Sequence, residues 1–137
     1  MGNSDLASAK EVLRQIKSLQ LGDLVRVEWF DASIGRSSSG GPIDLPVKSW
    51  GVFLGVFGEK NKQIILAQNN FRYTETIYDS DYTAIPLTWA VNVVVIEKGH
   101  LPADEAESVL NSFISGKRRA IRSRRHQWRS VNSEKLD

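Results

Sequence analysis

The sequence predicts a mainly β protein: a small antiparallel barrel of five to six strands, with a helix before it and a helix plus basic tail after it. Three observations carry this. Between residues 23 and 98 the apolar residues alternate in short runs rich in β-formers. Helical spacing is confined to the two ends of the chain. The crossover helices that a parallel sheet requires fit nowhere between residues 23 and 98. The predicted organisation is therefore an N-terminal helix over residues 1–21, a barrel over 22–99, and a helix with its tail over 100–137.

In the first segment Leu6, Ala9, Val12, Leu13, Ile16 and Leu19 recur at three- and four-residue spacing, the stripe of a helix packed on a core. Ser4 is its expected cap, Asp5 suits the positive end of its dipole, and Gly22 ends it or opens the next turn. From Leu24 to Phe30 the period is two, a first strand. Residues 33–46, with their Ser-Ser-Ser-Gly-Gly run and two prolines, read as a long loop. Trp50 to Phe57 is the second strand, with Gly51 and Gly55 four apart on one face and allowing the sharp bend of a small barrel. Gly58 to Lys62 is a hairpin turn and Gln63 to Gln68 the third strand. Residues 69–83 read as the end of that strand, a loop and a short strand near Thr74–Tyr78. Ala84 to Leu87 is short and extended, Leu87 to Ala90 makes a tight turn, and Val91 to Glu97 is the last strand.

Pro102 and the acids Asp104, Glu105 and Glu107 open the final helix, and Ala106, Val109, Leu110, Phe113 and Ile114 form its stripe. Gly116 weakens it by roughly 1 kcal/mol relative to alanine. If the helix continues, Leu110, Ile114, Ile121 and Trp128 fall on one side.

Charge divides the molecule. Residues 1–116 carry ten Lys/Arg against fourteen Asp/Glu, a net of −4, and residues 117–137 carry eight against two, a net of +6. Seven cations, Lys117, Arg118, Arg119, Arg122, Arg124, Arg125 and Arg129, fall between positions 117 and 129 with no acid among them. Guanidinium groups bind phosphate side on, and each neutralised phosphate releases counterions, so this segment points to a polyanion: RNA or DNA first, with an acidic membrane or protein surface as competitors. Trp128 can stack on a base. A second candidate contact is Asn70, Phe71, Arg72 and Tyr73: amide, arginine and aromatics suit single-stranded RNA, unless the aromatics simply cover the core. Trp29, Trp50 and Trp89 are expected in the core or at its rim.

Catalysis has little support. The two histidines, His100 and His126, stand in a turn and in the basic tail, and SSSGG lacks the Lys-Ser/Thr that completes a phosphate loop. Asp79 and Asp81 are too few for a cation site, so no metal or cofactor is expected. Without cysteine there is no disulfide framework and no thiolate site. No run approaches the roughly 20 apolar residues of a membrane span, and the N-terminus does not read as a secretory signal. A cytoplasmic protein is the simplest expectation.

Gly22-Asp23-Leu24-Val25-Arg26-Val27 looks like the opening strand of many SH3-like and Sm-like barrels. The path through Trp29-Phe30, Ser49-Trp50-Gly51, Ile64-Ile65-Leu66-Ala67-Gln68 and Ile85-Pro86 to Val93-Val94-Val95-Ile96 is similar to small barrel proteins of prokaryotes and their viruses. The resemblance covers about residues 21–99 and concerns the fold. Its Sm-like version implies RNA binding and assembly into a homo-oligomer or a larger ribonucleoprotein. The Asp and Asn that Sm proteins carry between their second and third strands have no counterpart in Gly-Glu-Lys-Asn-Lys, and the Arg-Gly of their second motif is missing near residues 85–97. No residue of the Sm uridine site is therefore carried over. The expectation is a non-enzymatic nucleic-acid-binding protein, RNA favoured. The competing class is a protein-interaction module, docking through the barrel or the stripe Val109, Leu110, Phe113 and Ile114, its tail on an acidic partner.

Overall fold

The computed structural model describes residues 3–31, 44–74 and 78–115. Helix α1 (Asn3–Lys17) leads into β1 (Leu24–Asp31), β2 (Leu45–Phe57), β3 (Gln63–Arg72) and β4 (Tyr78–Pro86). A 3-10 turn at Leu87–Trp89 then leads into β5 (Ala90–Glu97), and a second helix, α2, covers residues 103–115. The five strands form one antiparallel sheet in the order β4-β3-β2-β1-β5.

The sheet is open, which corrects the expectation of a closed barrel. β4 and β5 are its two edges, and no ladder joins them. The flank of β5 is taken by α1, where a closing strand would have to pair. Gln15 of α1 accepts the Val93 amide at 2.8 Å through Oε1 and donates to Asn92 Oδ1 at 2.9 Å through Nε2. A helix side chain thus occupies a main-chain donor that an edge strand would otherwise offer to another strand.

Both faces of the sheet centre are buried. On one, Val25 and Val27 of β1, Phe53 of β2, Ile64 and Leu66 of β3, Ile85 of β4 and Val93 of β5 form a core with Val12 of α1. On the other, Val52, Leu54, Ile65 and Ala67 meet Val109 and Phe113 of α2. The near-continuous apolar runs of β2 and β3 follow from this double burial. Ile16 and Leu19 join Val12 against the first core, whereas Ala9 and Leu13 are exposed, so α1 seats a narrower face than its stripe implies. Ser4 and Asp5 both lie in its first turn.

The two strand glycines do separate jobs. One residue, Leu54, is added on β2 between Phe53 and Gly55, where the register with β3 shifts. That bulge places Gly51 and Gly55 on opposite faces rather than on one. At Gly51 a Cβ would stand 2.8 Å from Leu66 Cβ and 2.9 Å from the Ala67 carbonyl oxygen, so β2 and β3 close on each other only over glycine. Gly55 has φ +139°, and a Cβ there would stand 3.0 Å from the Phe57 ring. The vacancy seats that ring, which packs against Phe113 of α2 at 5.4 Å between centroids.

Two strand pairs run longer than expected. β2 begins at Leu45, with Pro46 opposite Phe30, so the last residues of the expected loop are strand. Proline is tolerated because only β1 flanks β2 there. β3 continues to Arg72 against Tyr78–Asp81, so residues 69–72 are strand rather than loop.

Candidate nucleic-acid interface

The junction that seats α2 on the sheet centres on Asp23. The residue is 0% exposed, and its side chain takes three donors: the Gly99 amide at 2.9 Å, the Gln20 amide at 2.9 Å and the Lys98 ammonium at 2.9 Å. Burial alone pushes this carboxyl up, but the Gly99 and Gln20 amides and the Lys98 charge together outweigh it and hold the carboxyl below its ordinary value. The main chain on either side is also tied: Gly22 donates to Phe53, Phe53 donates to Asp23, and Leu101 donates to Gly22. The turn after α1, the middle of β2, the end of β5 and the start of α2 therefore share one junction, which aims α2 across the sheet.

α2 ends its described course over β3 and β4. Phe113 lies between Phe57 of β2 and Tyr82 of β4, meeting Tyr82 edge to face at 5.0 Å. Val109 and Phe113 are buried, and Leu110 and Ile114 pack with them. The stripe Val109, Leu110, Phe113 and Ile114 thus packs on the chain's own sheet. The cations Lys117, Arg118, Arg119, Arg122, Arg124, Arg125 and Arg129, with Trp128 and His126, lie outside the described residues.

The second candidate lies on the β3–β4 hairpin, where only two strands run among the described residues. Opposite pairs are Asn69 with Asp81, Asn70 with Ser80, Phe71 with Asp79 and Arg72 with Tyr78. Strand alternation puts Asn70 and Arg72 on one face and Phe71 on the other. Asn70 Oδ1 accepts the Ser80 hydroxyl at 2.7 Å, Asn69 Nδ2 donates to Asp81 at 3.1 Å, and Arg72 Nε donates to the Thr74 carbonyl at 3.3 Å. Phe71 is 49% exposed and Tyr73 69% exposed, so neither covers the core. The hairpin offers aromatic surface on a polar, hydrogen-bonded stem.

Asp79 and Asp81 share the Phe71 face of that stem, each occupied locally: Asp79 Oδ1 accepts the Ser80 amide and Asp81 the Asn69 amide group. Among the described residues no three acidic, histidine or cysteine side chains gather as a cation site. His100 Nδ1 lies 2.8 Å from Glu97 Oε2 in the turn after β5. No helix among the described residues is long and apolar enough to cross a membrane.

Sequence reasoning passed over a polar ladder across four elements. Gln15 of α1 reaches Asn92 of β5, Asn92 donates to Glu28 of β1 at 2.6 Å, and Lys48 of β2 stands 3.8 Å from Glu28. It also placed all three early tryptophans in the core or at its rim. Trp29 and Trp89 are half-buried and stack at 6.2 Å between centroids, with Trp29 Nε1 donating to Ser49, but Trp50 is 52% exposed. Alternation along β1 and β2 carried the signal, because Arg26 and Glu28 fall on the face opposite Val25 and Val27, and Trp50 and Lys48 pair with them.

The chain matches no protein-family model, and no curated protein aligns with it at a significant level.

Proposed function

We propose that this chain is a non-enzymatic nucleic-acid-binding protein, with RNA favoured over DNA, working in the cytoplasm and without a cofactor. Its anchor is the segment 117–129, in which Lys117, Arg118, Arg119, Arg122, Arg124, Arg125 and Arg129 contact phosphate and Trp128 stacks on a base. Asn70, Phe71, Arg72 and Tyr73 make a second, single-strand contact from the β3–β4 hairpin. The observation that carries this reading is the charge division: a net of +6 over residues 117–137 beside −4 over residues 1–116. Seven cations in thirteen residues exceed what compensating a helix dipole requires. The exposed Phe71 and Tyr73 rings support it independently.

A random RNA pool tests the reading. Full-length protein binds it at about 50 mM salt, binding weakens steeply as salt rises, and deletion of residues 117–137 removes most of it. Absence of binding by the full-length chain near that salt concentration rejects the proposal.

One observation favours the second reading, a protein-interaction module. Among the described residues no strand pairs with the outer edge of β4. An acidic partner for the tail and a strand partner for that edge would then replace nucleic acid. A partner that binds equally well after nuclease treatment and at high salt would favour it.

A further inference from the structure

α2 covers only part of its side of the sheet. Along β2, Val52 lies under α2, and the next residues on that face are Trp50 and Lys48. Opposite them on β1 stand Leu24, Arg26 and Glu28, and Val94 of β5 flanks Arg26 on its other side. Arg26 therefore sits on the sheet surface between Trp50 and Val94, and Trp50 is 52% exposed. The Trp50 main chain is held from β3, where Gln68 Nε2 donates to its carbonyl oxygen at 3.1 Å.

Arg26 is short of a partner. Its Nε is buried and has no acceptor, and among the described residues no carboxylate pairs with its guanidinium. Glu28, two residues along β1 on the same face, is already engaged by Asn92 and Lys48. Buried donors in folded proteins almost always find an acceptor. A guanidinium is a planar fork that fits a phosphate or carboxylate side on. Beside it stands an indole with half its surface in water.

We infer that the Arg26–Trp50 face holds one nucleotide of a bound single strand, its phosphate on the Arg26 guanidinium and its base stacked on Trp50. The inference rests on the nucleic-acid reading above and adds to it. The segment 117–129 supplies charge, while this face supplies a contact that senses whether a base is present. The body around it is net acidic, and an uncompensated cation is where such a surface admits phosphate. An acidic peptide, with a carboxylate on Arg26, is the competing occupant, but it leaves the exposed indole without a flat partner.

The test uses the full-length chain, a labelled oligo-uridine and an abasic oligomer of the same length, read by fluorescence anisotropy. Trp50→Leu is expected to weaken oligo-uridine binding by about tenfold and to leave abasic binding unchanged. Trp50→Phe restores most of the loss. Arg26→Gln is expected to weaken both ligands and to lower the salt slope by about 0.7. Thermal melts check that each variant folds. If Arg26→Gln does not, the half-exposed Trp50 still decides the matter. Wild-type affinity for oligo-uridine in Trp50→Leu overturns this site while leaving the anchor at 117–129 standing. Binding of neither oligomer by the unaltered protein overturns both. Poly-glutamate binding that drops in the variants, with no oligo-uridine binding, overturns the inference in favour of an acidic protein segment.

Discussion

The Lys98 ammonium lies 2.9 Å from Oδ2 of Asp23, and this pair closes the junction between β1, β5 and the start of α2. The two partners are unequal. Asp23 is fully buried and also accepts two amides, whereas the Lys98 side chain is 54% exposed. Asp23→Ala orphans the Gly99 and Gln20 amides and is expected to cost about 2–4 kcal/mol. Lys98→Met leaves the carboxylate its two amide donors while freeing the Ser18 carbonyl, and is expected to cost less than Asp23→Ala. Urea unfolding of both variants checks the asymmetry.

The same carboxyl makes stability depend on acid. Its value in the folded protein lies below that in the unfolded chain. Its contribution is therefore complete above the unfolded value of about 3.9 and is lost as pH falls through the folded one. Melting temperatures followed from pH 7 to pH 3 should show a smaller acid decline for Asp23→Asn than for the unaltered protein. Parallel curves would remove Asp23 as a source of the acid sensitivity.

Phe113 joins α2 to two strands at once, through Phe57 and Tyr82. Phe113→Ala is expected to cost about 3–4 kcal/mol. The edge-to-face pair with Tyr82 should give a double-mutant coupling of about 1 kcal/mol. Gly55→Ala acts on the same cluster from below, because its φ of +139° and the Phe57 ring both oppose a Cβ.

Gln15→Ala frees the Val93 amide and Asn92 Oδ1 together, while Asn92 Nδ2 keeps its bond to Glu28. The expected loss is about 1–2 kcal/mol, with faster hydrogen exchange at Val93 than at residues facing β1. Unchanged exchange at Val93 would show that α1 does not guard the β5 edge.

How much of this was readable beforehand varied along the chain. The strands Leu24–Asp31 and Ala90–Glu97, the turn at Leu87–Trp89 and the hairpin turn before Gln63 follow from alternation and turn chemistry, which are local. The open sheet was not readable. Whether β4 meets β5 depends on α1 lying along the β5 flank, and Gln15 reads as an ordinary polar helix residue until its distant partner Val93 is known. Asn69 to Arg72 read as loop because the stem has two polar faces and no apolar period. The bulge after Phe53 inverted the faces of Gly51 and Gly55, a one-residue shift that spacing alone does not reveal. At the candidate site, the cation count was plain, while the isolation of Arg26 beside Trp50 required the register of β1 against β2.

Phe71→Ala and Tyr73→Ala remove exposed rings and should change stability by less than about 0.5 kcal/mol. Each should nevertheless weaken single-stranded RNA binding about fivefold or more if the hairpin makes the stacking contacts assigned to it. Unaltered affinity in the double variant would exclude the hairpin from the interface.

The central claim is tested most directly by the salt dependence of RNA affinity for the full-length chain and for the chain lacking residues 117–137. Seven phosphate-bound cations predict a log–log slope of about −5 from that segment on single strands, falling on deletion to the share of about −0.7 left to Arg26, with loss of most affinity. Equal affinity and equal slope for the two chains would contradict the assignment of phosphate anchoring to residues 117–129.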